Sequence, residues 1–171
     1  MSVSVPTIET DRLVLRAPKL DDFEPLCTYF QDPRSRFNGG LLDRNEVWGV
    51  LLKNVGQWHL RGHGLWHIAL REDDTYVGFT GIFHPFDWPE PELGYGIIAE
   101  YEGRGIAYEA ACAARDGAAR HLGLQSLPSY IAPDNMRSQA LARRMGAVRQ
   151  DDITLRDKTA CVYRHTDMEA A

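Results

Sequence analysis

A chain of 171 residues, 44% hydrophobic and 25% charged, has the balance of a folded domain and not of a disordered or fibrous chain. Its formal net charge of −5, from 19 Lys+Arg against 24 Asp+Glu, argues against the basic face of a bulk nucleic-acid binder. No apolar run reaches membrane-spanning length, the start lacks a signal-peptide core, and Cys27, Cys112 and Cys161 form no CxxC pair, so a cytoplasmic protein with reduced thiols and no membrane partner is expected.

In chain order, residues 12–16 alternate polar and apolar and predict a strand. Residues 20–30 begin acidic and continue with apolar positions at helical spacing, and Asp32-Pro33 ends that helix. A second helix is predicted over 44–60, with Val47, Leu51, Val55 and Trp58 as one apolar stripe. Strands follow at 65–70 and 76–83. The three prolines of 84–91 then impose a stiff loop, and 92–98 returns to strand. A helix beyond the Gly103/Gly105 pair runs to about 121 with Gly123 as its cap, 127–132 is a strand, and 135–145 is a helix closed by Gly146. Two short strands, about 147–149 and 159–164, complete a mixed α/β pattern. No repeat or linker divides the chain, so one domain over 1–171 is expected.

The glycine pair raises the chemical question. A strand feeding a glycine-bearing turn and a helix can cradle phosphate, because the first N–H groups of a helix lack internal partners and sit at the positive end of its dipole. Gly103, Gly105 and the small Ala107 leave the N–H groups from Gly103 to Tyr108 accessible. A P-loop would need Gly-Lys-Ser/Thr, which is absent, and GxGxxG would need glycine where Tyr108 stands.

Glu102-Gly103-Arg104-Gly105-Ile106-Ala107 resembles the acyl-CoA loop Q/R-x-x-G-x-G/A of the GNAT N-acetyltransferase superfamily, with Glu102 departing from the Q/R place. Thr10 to Arg16, Glu92 to Tyr95, Asn135 to Ser138, Gly146 and Val162 to Arg164 are similar to its RimJ/RimL-like branch, so the likeness spans nearly the whole chain. It implies an α/β fold with a mixed, mostly antiparallel sheet flanked by helices and splayed between strands four and five (92–98 and 127–132). Acetyl-CoA is the implied co-substrate. Its pantetheine amides would pair with strand four at Tyr95, Ile97, Ile98 and Ala99, as amides do with an unpaired strand edge. Its pyrophosphate would meet Gly103, Arg104, Gly105, Ile106, Ala107 and Tyr108, with Asn135 and Ser138 also facing the cofactor. Arg137, Arg143 and Arg144 are further candidates for the nucleotide end, or simply a solvated helix face.

The resemblance also implies transfer of acetyl to a primary amine, a protein N-terminus or a small molecule, by direct attack in a ternary complex. A backbone N–H near Ile98 would hold the oxyanion, and no metal is required. An alkylamine with pKa about 10.4 is roughly one part in a thousand neutral at pH 7, so a base is useful, and Glu92 is the candidate, against a plain edge-strand carboxylate. The tyrosine that many relatives use on the departing thiolate falls here at Ala142, which leaves Tyr108, Ser138 or water. His84, Phe86, Asp87 and Trp88 are candidates for the wall of the acceptor site. His59, His63 and His67 stand four apart, but Gly62 and Gly64 interrupt any shared helix and argue against a metal site. A homodimer is expected by likeness alone. The competing readings are a non-catalytic acyl-CoA-binding module and a nucleotide-binding interaction protein.

Overall fold

The computed structural model describes residues 3–166. Strands β1 (Ile8–Glu9), β2 (Leu13–Arg16), β3 (Leu65–Leu70), β4 (Tyr76–Phe83) and β5 (Glu92–Ile97) form one antiparallel sheet in that order. A second antiparallel sheet is ordered β6 (Pro128–Ile131), β8 (Lys158–Arg164), β7 (Val148–Leu155). The short β1, absent from the sequence reading, moves the expected strands four and five to β5 and β6. The break between the two sheets falls between them.

Helices cover both faces of the larger sheet. Helix α3 (Ile106–Gly117) lays Ile106, Ala110, Ala111 and Ala114 against Leu13, Leu15, Ile68 and Leu93, all fully or almost fully buried. Small residues on that stripe let the helix approach the strands closely. On the opposite face, α1 (Phe23–Gln31) and α2 (Arg44–Arg61) bury Leu26, Phe30, Val47 and Leu51 against Phe79. Helix α4 (Met136–Arg144) packs Ala142 against Ile131, Cys161 and Tyr163 of the smaller sheet.

Several boundaries differ from expectation for identifiable reasons. Val55 is 47% exposed, because the buried face of α2 is set by Val47, Leu51 and Trp58, and Val55 lies at its margin. The acidic start of α1 is a separate 3₁₀ turn, Leu20–Asp22. Asp22 is buried and accepts from Arg16 at 2.8 and 2.9 Å, the Lys19 N–H at 3.0 Å and His67 Nδ1 at 2.6 Å. Burial alone would raise the Asp22 pKa, but its bonds with Arg16 and His67 overcome this and hold it well below the usual carboxylate range. The acidic start thus pins α1 to β2 and β3. Helix α3 widens into a π turn over Ala118–Leu122 before the Gly123 cap, and β7 extends to Leu155 through an exposed bulge between Gln150 and Ile153. The charged run 149–152 has no apolar alternation to reveal that strand.

Candidate functional site

Strands β5 and β6 start together. Ser129 Oγ lies 2.6 Å from the Leu93 carbonyl, and the Tyr130 N–H donates to the Glu92 carboxylate at 2.8 Å. Beyond this vertex no ladder joins them, and the segments that follow both strands line one cleft of about 1080 Å³. The strands therefore run the same way and diverge like an open V.

Pairing with β4 turns alternate residues of β5 inwards. The Ile98 N–H donates to the Val77 carbonyl at 2.9 Å, and the Gly94 carbonyl accepts from Thr80 Oγ at 3.0 Å. The carbonyls of Leu93 and Tyr95 point the other way, accepting from Ser129 Oγ and, at 3.3 Å, from Asn38 Nδ2. Odd-numbered residues thus present backbone to the gap, so the N–H groups of Tyr95 and Ile97 face the cleft. Ile98, expected near the oxyanion, is 8% exposed, lies outside the cleft lining and has already given its N–H to the sheet.

The loop beyond β5 supplies the second half of the cleft. Gly103 and Gly105 adopt φ of +73° and +76°, the left-handed region that side chains avoid. Nothing lies within 4 Å of a Cβ placed at Gly103, and the nearest atom to one at Gly105 is Arg12 Nη2 at 3.5 Å. Conformation, not space, is what calls for glycine here. Arg12 holds the loop from the far end of the sequence, donating to the Arg104 carbonyl at 2.8 Å and to Glu109 at 2.7 Å. Thr10 Oγ1 donates to the same carboxylate at 2.6 Å. Burial would raise Glu109, and these donors outweigh it and hold its pKa below the ordinary range. The opening Thr-x-Arg segment is thus a buttress for the glycine turn. No side chain caps α3, so its first N–H groups face the cleft unoccupied by protein side chains.

Tyr95, Ile97 and Ala99 line the cleft from β5 and just beyond it, as do Gly103, Gly105, Ile106, Ala107 and Tyr108 from the loop and α3. Arg104 does not: its guanidinium folds back onto the Glu100 carbonyl at 3.0 Å and over the Tyr101 ring. Asn135 and Ser138 line the opposite wall, where Asn135 caps α4 by accepting from the Ser138 N–H at 3.2 Å. Tyr95 crosses between the walls and donates its hydroxyl to the Ser138 carbonyl at 3.0 Å. Four arginines (Arg34, Arg36, Arg137 and Arg144) line the cleft against two acids, Glu102 and Asp134, in a protein whose net charge is −5. Of the arginines weighed from sequence, Arg143 lies outside the lining, and Arg144 stacks over the Tyr108 ring at 4.5 Å.

Glu92 lies elsewhere. It is 8% exposed, outside the cleft lining, and its two oxygens accept from Trp88 Nε1 at 2.9 Å and from the Tyr130 N–H. Burial pushes its pKa up to about 7 against the pull of those donors. His84, Phe86, Asp87 and Trp88 also lie off the cleft. Asp87 pairs with Arg156 at 2.6 Å, Trp88 stacks under Arg156, and Phe86 is 98% exposed. Among the described residues no three His, Cys, Asp or Glu side chains are grouped to hold a metal. The sequence reading missed the residues from Tyr29 to Asn38 that form the cleft's third wall, because helix propensity and turn signals carry no mark of a ligand.

An unpaired strand edge beside a bare helix N-terminus, at the gap between two sheets, is the architecture of an acyl-CoA-dependent transferase. Residues 12–148 match the family described as "Acetyltransferase (GNAT) domain". The chain belongs to that family and is an acetyltransferase. It is similar to an acetyltransferase of Agrobacterium tumefaciens str. C58, with TM-score 0.86 and 38% identity over 98% of both chains. It is 27% identical to the uncharacterized N-acetyltransferase p20 of Bacillus licheniformis, over 88% of this chain and 86% of that one. Its fold is also that of RimL, a ribosomal L7/L12 α-N-protein acetyltransferase solved with coenzyme A, with TM-score 0.77 and 16% identity over 95% and 98% of the chains. Acetyl-CoA is the acyl donor of the family.

Proposed function

We propose that this protein transfers the acetyl group of acetyl-CoA to a primary amine, on a protein N-terminus or a small molecule, by direct attack within a ternary complex. The observation that carries the reading is the juxtaposition of the cleft-facing N–H groups of Tyr95 and Ile97 with the uncapped start of α3. The strand edge matches the pantetheine amides, and the helix terminus with Gly103 and Gly105 matches the pyrophosphate. Asn135 has its amide nitrogen left over from capping and meets the pantetheine from the other wall. Tyr108 and Ser138 flank the cofactor, and the Ile97 N–H takes the oxyanion role in place of Ile98. Glu92 acts as a pin between the strands. The amine therefore loses its proton to solvent, and Glu92→Gln retains turnover between pH 6 and 9.

A single domain is the reading for the chain, supported by the bonds that join the two sheets, from Ser129 Oγ to the Leu93 carbonyl and from the Tyr130 N–H to Glu92. Three free cysteines fit a reducing, cytoplasmic setting, and a homodimer is the assembly carried over by likeness. The test is calorimetric binding of CoA together with a thiol-release screen using acetyl-CoA and a panel of amines, including peptides with free N-termini. Turnover on at least one amine is expected. CoA binding without turnover on any amine would leave only an acyl-CoA-binding module, and an ADP-like fragment binding as tightly as CoA would remove the pantetheine slot.

A further inference from the structure

Tyr29 belongs to the helix-spaced apolar stretch 20–30, yet it lines the cleft. It is 6% exposed and crosses β5 at Gly96, one residue before the strand ends. A Cβ on Gly96 would come within 2.6 Å of the Tyr29 hydroxyl oxygen, so Gly96 is bare where the tyrosine passes. Edge contacts with Phe79 and Phe30, at centroid separations of 5.1 and 5.0 Å, fix the ring.

The hydrogen-bond roles at its tip follow from one amide. Asn38 Nδ2 lies 2.5 Å from the Tyr29 hydroxyl oxygen and 3.3 Å from the Tyr95 carbonyl. A carbonyl only accepts, so the atom of Asn38 that faces it is the NH₂ group. An amide nitrogen only donates, so the Tyr29 oxygen accepts from it. The hydroxyl's own hydrogen is then left without an acceptor among the described residues. Buried hydroxyls nearly always find one, and a donor fixed at a cleft wall with nothing to donate to is poised for a ligand atom.

We propose that the Tyr29 hydroxyl donates a hydrogen bond to the thioester oxygen of bound acetyl-CoA, forming an oxyanion hole with the cleft-facing N–H of Ile97. This rests on the reading given under Proposed function. The amine lone pair forms the C–N bond while the carbonyl π electrons move onto oxygen, where the two donors hold the charge. Collapse returns those electrons, breaks C–S and sends its electron pair to sulfur as thiolate, while the ammonium proton goes to solvent. Tyr29 keeps its proton throughout. Burial, outweighing the Asn38 bond, pushes its pKa up to about 12. Handing a proton to a thiolate of pKa about 8.5 would run uphill by about three powers of ten, whereas donation to an alkoxide-like oxygen meets no such mismatch. Asn38 is the positioning residue, holding the oxygen so that the hydrogen turns to the cleft.

The experiment is Tyr29→Phe, which preserves the ring packing, with Asn38→Ala as the second variant. Each is assayed for kcat and KM by thiol release and for CoA Kd by calorimetry. Loss of one such donor is expected to lower kcat by roughly 100- to 1000-fold in Tyr29→Phe with Kd unchanged within twofold, and Asn38→Ala should fall between it and wild type. A Tyr29→Phe kcat within threefold of wild type overturns the assignment. So does a rise in Kd that matches the loss in kcat/KM, since that marks a packing role. A wild-type protein that binds CoA but releases thiol with no amine removes the underlying reading instead, and that outcome is seen before any variant is made.

Discussion

The mouth and the vertex of the V treat their polar groups in opposite ways. At the mouth, the backbone of Tyr95 and Ile97 and the first turn of α3 present donors that no side chain caps, and arginines outnumber acids. At the vertex, Glu92, Ser129 and His165 Nε2 are buried and paired, while His165 Nδ1 is buried without a hydrogen-bond partner. Ser129 Oγ donates to the Leu93 carbonyl, so it must accept from His165 Nε2 at 2.8 Å, which fixes the histidine tautomer. Burial first, and the charge of Arg115 second, lower His165 to a pKa of about 4 and keep it neutral. Glu92 takes the Tyr130 N–H that a strand carbonyl would take in a continuous sheet. The ladder can therefore stop without leaving an orphaned donor. The strands part where side-chain bonding at one end gives way to unpaired backbone donors at the other.

The largest expected effect breaks the vertex by pH. The Glu92 pKa is raised from its ordinary 4.5 to about 7, so the folded protein holds that proton more tightly than the unfolded chain does. The contribution to stability is then fully present below about pH 4.5 and is lost as pH rises through 7, by about 3 kcal/mol at most at 1.36 kcal/mol per unit. Unfolding free energies from urea titrations at pH 5 and pH 8 should show wild type losing about 2.5 kcal/mol relative to Glu92→Gln, which does not titrate. The loss is below the maximum because the unfolded carboxyl has already released most of its proton at pH 5. Parallel curves for the two proteins would mean that water reaches the carboxylate. The mouth is broken next, by Gly105→Val. A β-branched residue at φ +76° costs on the order of 1–3 kcal/mol, so CoA Kd should rise roughly 10- to 100-fold. Gly105→Asn, which tolerates the left-handed region, should lose much less. Equal losses in calorimetry would show that space, not conformation, is limiting.

These two ends were not equally legible in the sequence. The glycine pair, the strand before it and Asn135 at the start of α4 are local features, and each lies within two or three residues of what it does. The vertex is a long-range construction: Glu92 meets Tyr130 across 38 residues, and Ser129 meets Leu93 across 36. A carboxylate at the start of a strand looks the same in sequence whether it faces a substrate or a neighbouring strand, and here it faces the strand. Tyr29 was hidden differently. It sits beside the stripe of Phe23, Leu26, Cys27 and Phe30, and only its hydroxyl, on an otherwise apolar face, hinted at another role. The alternation of β5 was readable, but the choice of odd over even residues for the open edge depends on its register with β4.

The smallest expected effect sharpens the electrostatic side of the comparison. Glu102 stands where the acyl-CoA loop pattern has glutamine or arginine, and its Oε2 accepts from Arg34 Nη1 and Arg137 Nη1, each at 2.8 Å. All three side chains are partly exposed, so each pair contributes about 0–1 kcal/mol to stability, and Glu102→Gln should barely change the melting temperature. Its effect on ligand binding differs in sign. A phosphate entering the mouth must compete with this carboxylate for both guanidinium groups and is repelled by its charge. Removing that charge should tighten CoA roughly threefold to tenfold at low salt. The gain should shrink as the screening length falls from about 10 Å at 0.1 M to about 3 Å at 1 M salt. Calorimetry of both proteins at the two ionic strengths reads this directly. If Glu102→Gln instead weakens CoA at low salt, Glu102 orients Arg34 and Arg137 for the phosphates, and its departure from the loop pattern is a positioning device rather than a competitor.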